Sequence, residues 1–393
     1  MTDRSKPNHI LALAGMRAFP PLILVAFHFC EGHGYRDLRW FDFLAAKGYL
    51  WVEFFFALSG FVLTYVYGTR LKQLWQPGGF VTFLRSRLAR LYPLHIFMML
   101  VVLVLSFALP WLANVMGHGP DYARMFKPVV TFSSFIANIF LVQAWNLYPW
   151  LTWNGVSWFV SVEFLLCLLF PLYLWIAAGK IWRGILLIAA GLAGLVWLLQ
   201  TSTHGLDITF HNGIFRGMAD FAVGVGIAVL YRENTIRFSD TSLTIAQVAV
   251  LAALWWGIYR TGWSHTARDI WTVLPLFALI FVLAFDRGLI ARALHWQPFQ
   301  AMGEWSFAIY IGQGAWLQLV RFFEATLYPG KDTLFLGMRW GDFIWWAEPI
   351  GLMLVCAVWG WLLMTLIEKP AARLLAPQRP KLDPPASGLP SKA

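Results

Sequence analysis

The chain has 393 residues, of which 59% are hydrophobic and only 13% are charged, and its mean hydropathy is +0.62. These values exclude an ordinary soluble domain. The net charge of +10 comes from Lys and Arg in short groups between apolar runs, which indicates membrane topology and argues against a nucleic-acid partner. The three cysteines lie inside apolar stretches without metal-ligand spacing, so neither a disulfide framework nor a metal site is predicted.

Apolar runs long enough to cross a bilayer follow one another along the chain. They cover residues 10–30, 48–68, 91–112, 156–179, 184–200, 213–231, 243–260, 270–286, 302–323 and 343–367. The sequence therefore predicts an all-α, polytopic protein of the inner, energy-conserving type of membrane, with about ten transmembrane helices. The 23 Trp and 12 Tyr suit anchors at the two membrane interfaces. One membrane domain is expected over residues 1–375.

An eleventh apolar stretch, 129–145, contains several polar residues, and its hydropathy leaves it undecided. If it does not span, most of the 30 Lys and Arg fall on one side of the membrane. If it spans, every later loop changes side, against the positive-inside bias. We therefore expect an interfacial or re-entrant segment and cytoplasmic termini. The Pro- and Lys-rich tail, 376–393, is expected to be disordered and cytoplasmic.

The first helix contains two costly intramembrane residues, Arg17 and His28. At about 100° per residue, their spacing puts both on one face, roughly 16 Å apart along the axis. Pro20 and Pro21 stand between them and are expected to kink or open the helix. Two interpretations stay open. Either a long, thin ligand touches both side chains, or Arg17 extends to the inner interface and His28 to the outer one.

Acids occur in two further helices. Glu53, beside three phenylalanines, could orient an imidazole from a neighbouring helix or simply end its span, and the local sequence favours the second interpretation. Gly60, in the same helix, favours close helix packing. Glu163 has no nearby cation in the sequence, and Arg216, at a similar depth in another helix, is its candidate partner.

Between the second and third helices, Arg85, Arg87 and Arg90 fall within six positions. Such a cluster at a cytoplasmic helix end can hold phosphates by charge-assisted hydrogen bonds. The positive-inside rule and anionic lipid produce the same pattern, and the cluster alone favours contact with membrane lipid.

Near the end of the chain, four polar residues recur at helical spacing. They are Ser306, Tyr310, Gln313 and Gln318. This strip either lines a cavity or hydrogen-bonds between helices, and helix packing is the default interpretation. The chain contains no HExxH, P-loop, GxSxG or dinucleotide fingerprint, so metal-dependent hydrolysis, nucleotide hydrolysis and elbow-type esterase chemistry lack support.

Taken in order, these motifs resemble the acyltransferase type 3 family of membrane O-acyltransferases over about the first 375 residues. The matching segments are Arg17 with His28, residues 52–63, Arg87 with Arg90-Leu91-Tyr92-Pro93, residues 158–171, residues 216–230 and Glu368-Lys369-Pro370. Each motif is weak alone, whereas six in the right order are specific. Ten spans with both ends inside is also the architecture that this resemblance implies.

The resemblance implies transfer of an acyl group, most often acetyl, from cytoplasmic acyl-CoA to a hydroxyl of a cell-surface, secreted or lipid-linked glycan in the bacterial inner membrane. Acyl-CoA is then a co-substrate, a glycan or glycolipid is the acceptor, and no cofactor stays bound. His28 would be a general base or an acylated nucleophile, oriented by Glu53 or Glu163. The residues implied in substrate or acyl-CoA binding are Arg17, Ser59, Arg87, Arg90, Tyr92, Trp158, Ser161, Arg216 and Tyr310. The sequence does not decide whether the protein forms a homo-oligomer.

Three positions depart from the family pattern. Phe159 stands where the family usually has Ser, Glu53 replaces the commoner Asp, and Gln313 stands where many members carry His. No second catalytic histidine is therefore predicted. The alternative function is a secondary transporter or glycan flippase with Arg17 and Glu163 as ion-coupled gates. The chain lacks the internal repeats that inverted-repeat transporters show, which argues against this alternative.

Overall fold

The computed structural model describes residues 9–33, 45–68, 74–120, 130–178, 180–262, 264, 266–327, 334–335 and 338–375. The predicted tail, 376–393, lies outside the described residues. The α-helices are α1 (Leu11–Met16), α2 (Phe19–His33), α3 (Trp51–Tyr67), α4 (Gly79–Val115), α5 (Phe132–Ile139), α6 (Trp158–Ala177), α7 (Ile181–Thr201), α8 (Gly213–Glu233), α9 (Asp240–Thr261), α10 (Ile270–Ala284), α11 (Leu289–Leu294), α12 (Gln297–Leu327), α13 (Trp340–Leu363) and α14 (Lys369–Leu375).

Shorter elements connect these helices. Three 3₁₀ turns, Gly48–Leu50, Gly155–Ser157 and Ala267–Asp269, precede α3, α6 and α10, and a π-helical turn, Met364–Glu368, joins α13 to α14. Two-residue strands β1 (Leu334–Phe335) and β2 (Met338–Arg339) form an antiparallel ladder, with Leu334 opposite Arg339.

Eight helical segments of the described chain are long and apolar enough to cross a membrane, and the first of them, Leu11–Glu31, joins α1 and α2. The two other predicted spans correspond to α10, which is apolar but has only 15 residues, and to α12, which has 31 residues and carries the polar strip. Every predicted run thus coincides with a helix. The prediction of an all-α polytopic membrane protein is confirmed.

The first span is interrupted at Arg17 and Ala18, between α1 and α2. A proline lacks the N–H that would bond to the carbonyl four residues earlier, and its ring crowds that carbonyl. For Pro20 and Pro21 those carbonyls belong to Met16 and Arg17. The break therefore lies one turn before the prolines, at Arg17 itself, and not midway between Arg17 and His28.

The undecided stretch at 129–145 contains only the eight-residue helix α5. At 1.5 Å per residue this helix is about 12 Å long, against a hydrocarbon core of about 30 Å, so it does not span. Two of its polar side chains, Ser134 and Asn138, are buried: Asn138 donates to Thr152 Oγ1 (2.9 Å), and Trp153 Nε1 donates to Ser134 Oγ (3.0 Å). The polar residues that left the hydropathy undecided thus hold α5 against the loop before α6.

Helix α8 lies at the centre, between α7 and α3, and most of its residues are buried. Its backbone approaches α3 closely at two glycines: a Cβ on Gly60 would meet the Phe221 carbonyl, and one on Gly224 would meet the Ala57 carbonyl. Small residues allow such contacts between helices in a membrane. The packing role predicted for Gly60 is confirmed.

Both ends of the described chain lie on one side of the bundle. Gln300 Nε2, near the start of α12, donates to the Leu11 carbonyl (2.9 Å), and Lys369 Nζ lies 3.3 Å from Glu304 Oε2 on the same helix. We call this side the termini end. His28, at the far end of the first span, marks the opposite side, which we call the His28 end.

Candidate active site

A cavity of about 140 Å³ lies among the first span, α3, α4, α6 and α12. Six predicted site residues line it: Arg17, Ser59, Arg87, Arg90, Glu163 and Tyr310. They come from five separate segments of the chain, and the fold brings them together. His28 and Glu53 do not line this cavity.

Arg17 enters the cavity from the break in the first span. Its Nη2 donates to Ser306 Oγ at 2.9 Å, and Ser306 is buried. Because α1 ends at Met16, the guanidinium stands where the backbone is no longer helical. Arg17 therefore lines a cavity between helices, which favours contact with a ligand over simple extension to the membrane interface.

Arg87 and Arg90 lie in the first third of α4, which starts at Gly79. The sequence placed this cluster between two helices, whereas the structure continues the helix through it. Arg87 Nε is buried without a hydrogen-bond partner among the described residues, and the guanidinium lies 5.9 Å from the Phe83 ring. Arg90 is 44% exposed, and its Nε lies 3.9 Å from Glu368 Oε1, so it is available at the cavity mouth. Arg85 is exposed and does not line the cavity.

Glu163 lines the same cavity as Arg17 and Arg87. Ser59 Oγ donates a short hydrogen bond to Glu163 Oε1, and Oε2 is buried without a partner in the described structure. The expected pair between Glu163 and Arg216 is wrong, because Arg216 belongs to another acid.

That acid is Glu53. Arg216 Nε and Nη2 donate to its two carboxylate oxygens, each at 2.7 Å, and both side chains are almost fully buried. Arg216 also donates to the Tyr49 and Ile208 carbonyls, each at 2.8 Å, and lies 5.5 Å from the Trp158 ring centroid. A bidentate pair that also satisfies the remaining donors is the arrangement in which a buried ion pair is tolerated. Glu53, Arg216 and Trp158 therefore form a structural cluster.

A second buried ion pair lies beside this cluster. Lys47 Nζ donates to Asp269 Oδ1 (2.7 Å) and to the Ser264 carbonyl, and Tyr49 Oη donates to Asp269 Oδ2 (2.7 Å). Burial lowers the pKa of Lys47 below its ordinary value, and the Asp269 carboxylate opposes that shift. This pair was not predictable from the sequence, because Lys47 and Asp269 lie in connections between spans.

His28 is oriented by Gln313. The Nδ1 atom of His28 lies 2.9 Å from Gln313 Oε1, while Gln313 Nε2 donates to the Tyr310 carbonyl (2.9 Å). The second contact directs the amide oxygen toward the histidine, so Nδ1 carries the proton and Nε2 presents its lone pair. The expectation that Glu53 or Glu163 orients the imidazole is wrong, because Glu53 is occupied by Arg216 and Glu163 is bonded to Ser59.

The contacts of Arg17 and His28 reach the same helix. Ser306 and Gln313 are seven residues apart in α12, about 10.5 Å along its axis, and Tyr310 lies between them. The default interpretation of the polar strip as packing alone missed this. The sequence did contain a signal for it. The first span and α12 each carry polar residues on one face, and two such faces can pack against each other.

Two predicted binding residues lie elsewhere. Ser161 is fully buried; its Oγ donates to the Leu141 carbonyl (2.7 Å) and accepts from the Ala144 N–H (3.2 Å), so it holds the segment after α5. Tyr92 is half-buried on α4 with its ring 6.5 Å from that of His95. Neither lines the cavity.

Among the residues that the structure describes, no group of three or more His, Cys, Asp or Glu could hold a metal ion. The charged groups that face the cavity are three guanidiniums and one carboxylate, with Glu368 at its mouth. Such a chamber suits a polyanionic ligand with an apolar arm, since Phe55, Phe159 and Phe307 form other parts of the wall.

The fold and the cavity define a multi-pass membrane protein with a cationic cavity between its helices. The chain belongs to the acyltransferase family whose domain description matches residues 10–365, and it is an acyltransferase. It is 26% identical to the acyltransferase MdmB of Streptomyces mycarofaciens, over 94% of this chain and 93% of that protein.

Two further relatives match more weakly. The peptidoglycan O-acetyltransferase OatA of Listeria monocytogenes is 21% identical over 79% of this chain and 50% of that protein. Protein 2 of the picA locus of Rhizobium radiobacter is 33% identical over 40% of this chain and 76% of that protein. No solved structure matches the chain.

Proposed function

We propose that the protein transfers an acyl group, acetyl in the first instance, from cytoplasmic acyl-CoA to a hydroxyl of a cell-surface, secreted or lipid-linked glycan. The observation that carries the proposal is the arrangement of the first span against α12. Arg17 is held by Ser306 beside the cationic cavity, and His28 is held by Gln313 two turns further along. The relative from Listeria is named for O-acetyl transfer, which supports the acetyl group.

The termini end is proposed to face the cytoplasm of a bacterial inner membrane. Arg85, Arg87, Arg90, Arg232 and Arg292 all lie toward this end, as the positive-inside rule requires of cytoplasmic segments. Acyl-CoA would then reach the cavity from the side on which it is made, and the acceptor would reach His28 from the opposite side.

In the proposed reaction the guanidiniums of Arg87 and Arg90 hold the nucleotide phosphates, and Arg17 steadies the pantetheine arm, which carries the thioester onward to His28. His28 Nε2 takes the proton of the acceptor hydroxyl while that oxygen attacks the thioester carbonyl carbon. The C–S bond breaks, and the CoA thiolate leaves and accepts the proton that the His28 imidazolium releases. A covalent acyl-His route would use the same Nε2 as nucleophile and pass the acyl group to the hydroxyl afterwards.

The proposal is tested by comparing O-acetylation of the surface glycans of the host with and without the gene. Loss of acetyl groups in the deletion strain, restored by the wild-type gene and not by an equally abundant H28A protein, supports it. Unchanged glycan acetylation in the deletion strain contradicts it.

The phosphate role of Arg87 predicts a selective effect on the donor. R87Q is expected to raise KM for acetyl-CoA about tenfold or more, because a hydrogen bond to a charged group contributes about 1.5–3 kcal/mol. KM for the acceptor should not change. R85Q, two residues and so about 200° around the helix from Arg87 and outside the cavity, is the matched control and should behave as wild type. Equal effects of R87Q and R85Q on KM for acetyl-CoA would show that Arg87 acts only through lipid contact or membrane topology and does not bind the donor.

Phe159 is expected to limit the size of the acyl group. Its ring stacks on Phe56 (centroids 4.5 Å apart) and meets Tyr310 edge-on (5.3 Å), and it forms part of the cavity wall. F159S removes the ring and should increase butyryl transfer relative to acetyl transfer several-fold, measured with paired acyl-CoA substrates. F159L, which keeps most of the volume, should retain the wild-type ratio. An unchanged ratio in F159S would show that the ring does not contact the acyl chain.

A further inference from the structure

A second cavity, of about 240 Å³, opens at the His28 end and is lined by residues within 198–212, which form the end of α7 and its connection to α8. Its lining is rich in hydroxyl, imidazole, amide and carboxylate groups. Its polar lining residues include His204, Asp207, Thr209 and Asn212. We call it the loop pocket.

The loop pocket is held from beneath by the two buried ion pairs. Arg216, paired with Glu53, donates from Nη1 to the Ile208 carbonyl (2.8 Å), and Asp269, paired with Lys47, accepts from the Leu206 N–H (3.0 Å). One member of each ion pair thus makes a further hydrogen bond to the backbone of this loop. Buried charges are costly in a membrane unless all their hydrogen-bonding groups have partners. Because the backbone of the loop supplies two of these partners, the ion pairs hold the loop in one conformation.

The far side of the loop is fixed as well. Asn212 adopts a left-handed conformation (φ 63°), and its N–H donates to Asn146 Oδ1 (2.8 Å), while Asn146 Nδ2 donates to Asn212 Oδ1 (3.4 Å). Asn146 is itself left-handed (φ 59°). Asparagine tolerates this conformation better than most residues. The reciprocal amide pair joins the loop pocket to the segment after α5.

A chain of contacts connects His28 to the loop that forms the pocket. Phe27 stands between Tyr49 and His28, with ring centroids 5.5 Å and 5.4 Å away respectively. Tyr49 donates to the same Asp269 Oδ2 that accepts from the Leu206 N–H. Asp207, which lines the pocket, also acts electrostatically on His28. A ligand in the loop pocket would therefore lie on the same side of the molecule as the imidazole, which two ring contacts and two hydrogen bonds connect to the backbone of the loop.

The chemistry of the lining separates this pocket from the donor cavity. The loop pocket is lined by no Lys or Arg, so it has no group suited to phosphates, whereas three guanidiniums face the donor cavity. Alternating donors and acceptors on a preformed loop suit a neutral ligand with several hydroxyls. The cavity volume suits one sugar ring and not a long stretch of polymer.

We propose that the loop pocket binds one neutral sugar ring of the acceptor and so presents a hydroxyl to His28. This inference rests on the proposed acyl transfer to a hydroxyl and adds the acceptor subsite. Specificity for the acceptor would then reside in 198–212, whereas specificity for the donor resides in the cavity beside Arg17.

The test uses purified full-length protein in detergent and follows tryptophan fluorescence, since Trp197 precedes the loop and is half exposed. The probes are methyl β-glucopyranoside and cyclohexanol, which share a six-membered ring but differ in hydroxyl count. Wild type is expected to bind the glycoside saturably and cyclohexanol at least tenfold more weakly. Equal response to both probes, or no saturable response to the glycoside, overturns the proposal.

Variants of lining residues locate the binding. H204L and T209V are expected to weaken glycoside binding tenfold or more, while T209S, which keeps the hydroxyl, should bind as wild type. T244V, whose hydroxyl lies at the termini end, is the matched control. H204L and T209V should keep the wild-type melting temperature, and unchanged binding in both variants overturns the assignment.

A separate measurement keeps the two proposals distinct. Acyl transfer from labelled acetyl-CoA to hydroxylamine needs the donor cavity and no sugar subsite. Transfer to hydroxylamine with no glycoside binding rejects the loop pocket alone, whereas glycoside binding without any acyl transfer rejects the proposed function. In H204L, transfer to hydroxylamine is expected to stay at the wild-type rate while KM for methyl β-glucopyranoside rises tenfold.

Discussion

H28A is expected to lose acyl transfer by about 10²–10⁴-fold while its abundance in the membrane stays at the wild-type level. The imidazole is half-buried and makes one described hydrogen bond, to Gln313, so its removal deletes one polar contact and no ion pair. The loss should therefore appear in kcat and not in folding. The measurement is label transfer from acetyl-CoA by purified protein, normalised to the amount of folded protein.

Two further variants define the role of His28. H9A removes an exposed histidine at the termini end and should keep full activity. Q313L keeps the imidazole but removes the acceptor of its Nδ1 proton, so it should lower kcat by a smaller factor and alter the pH profile of kcat. An active H28A protein would reject both the base and the acyl-His routes. A Q313L protein with a wild-type pH profile would reject the positioning role of Gln313.

R216M is expected to destabilise the protein by about 3–5 kcal/mol, because it leaves the Glu53 carboxylate buried without its partner. It also removes the donors to the Tyr49 and Ile208 carbonyls. The expected result is a lower melting temperature and less monodisperse protein in detergent, measured by fluorescence-detected size-exclusion chromatography across a temperature series.

The double variant E53Q/R216M separates charge from packing. Because it removes both buried charges, it should recover part of the stability that R216M loses. E53Q alone should be less damaging than R216M, since the amide can still accept from the arginine. Wild-type stability of R216M would contradict the account of this pair as a structural cluster. A stable E53Q protein with no transfer activity would instead assign Glu53 to the reaction.

The fold was largely predictable because hydropathy reports burial in lipid directly. The ten apolar runs all coincide with helices, and the charge bias correctly kept 129–145 from being counted as a span. Helix limits were less predictable. Arg87 and Arg90 are polar and were placed in a connection, yet α4 extends through them because arginine, leucine and alanine are good helix formers.

The sequence predicted which residues belong to the site better than it predicted which of them contact one another. Arg17, Arg87, Arg90 and Glu163 do line one cavity. Which acid meets Arg216 depends on how α3, α6 and α8 rotate against one another, and one sequence carries no information on that rotation. Glycine contacts set it here, with Gly60 on α3 against α8. The role of Gln313 was missed for the same reason, because its partner lies on another helix.

Label transfer across a sealed membrane tests the central claim most directly. Protein is reconstituted into liposomes with acceptor glycan inside and labelled acetyl-CoA outside, and the lumenal glycan is then recovered and counted. Wild type is predicted to acetylate the enclosed glycan, and H28A and R87Q are predicted to leave it unlabelled or weakly labelled. Label on glycan added outside with none on glycan sealed inside would contradict the path from the arginine cavity to His28.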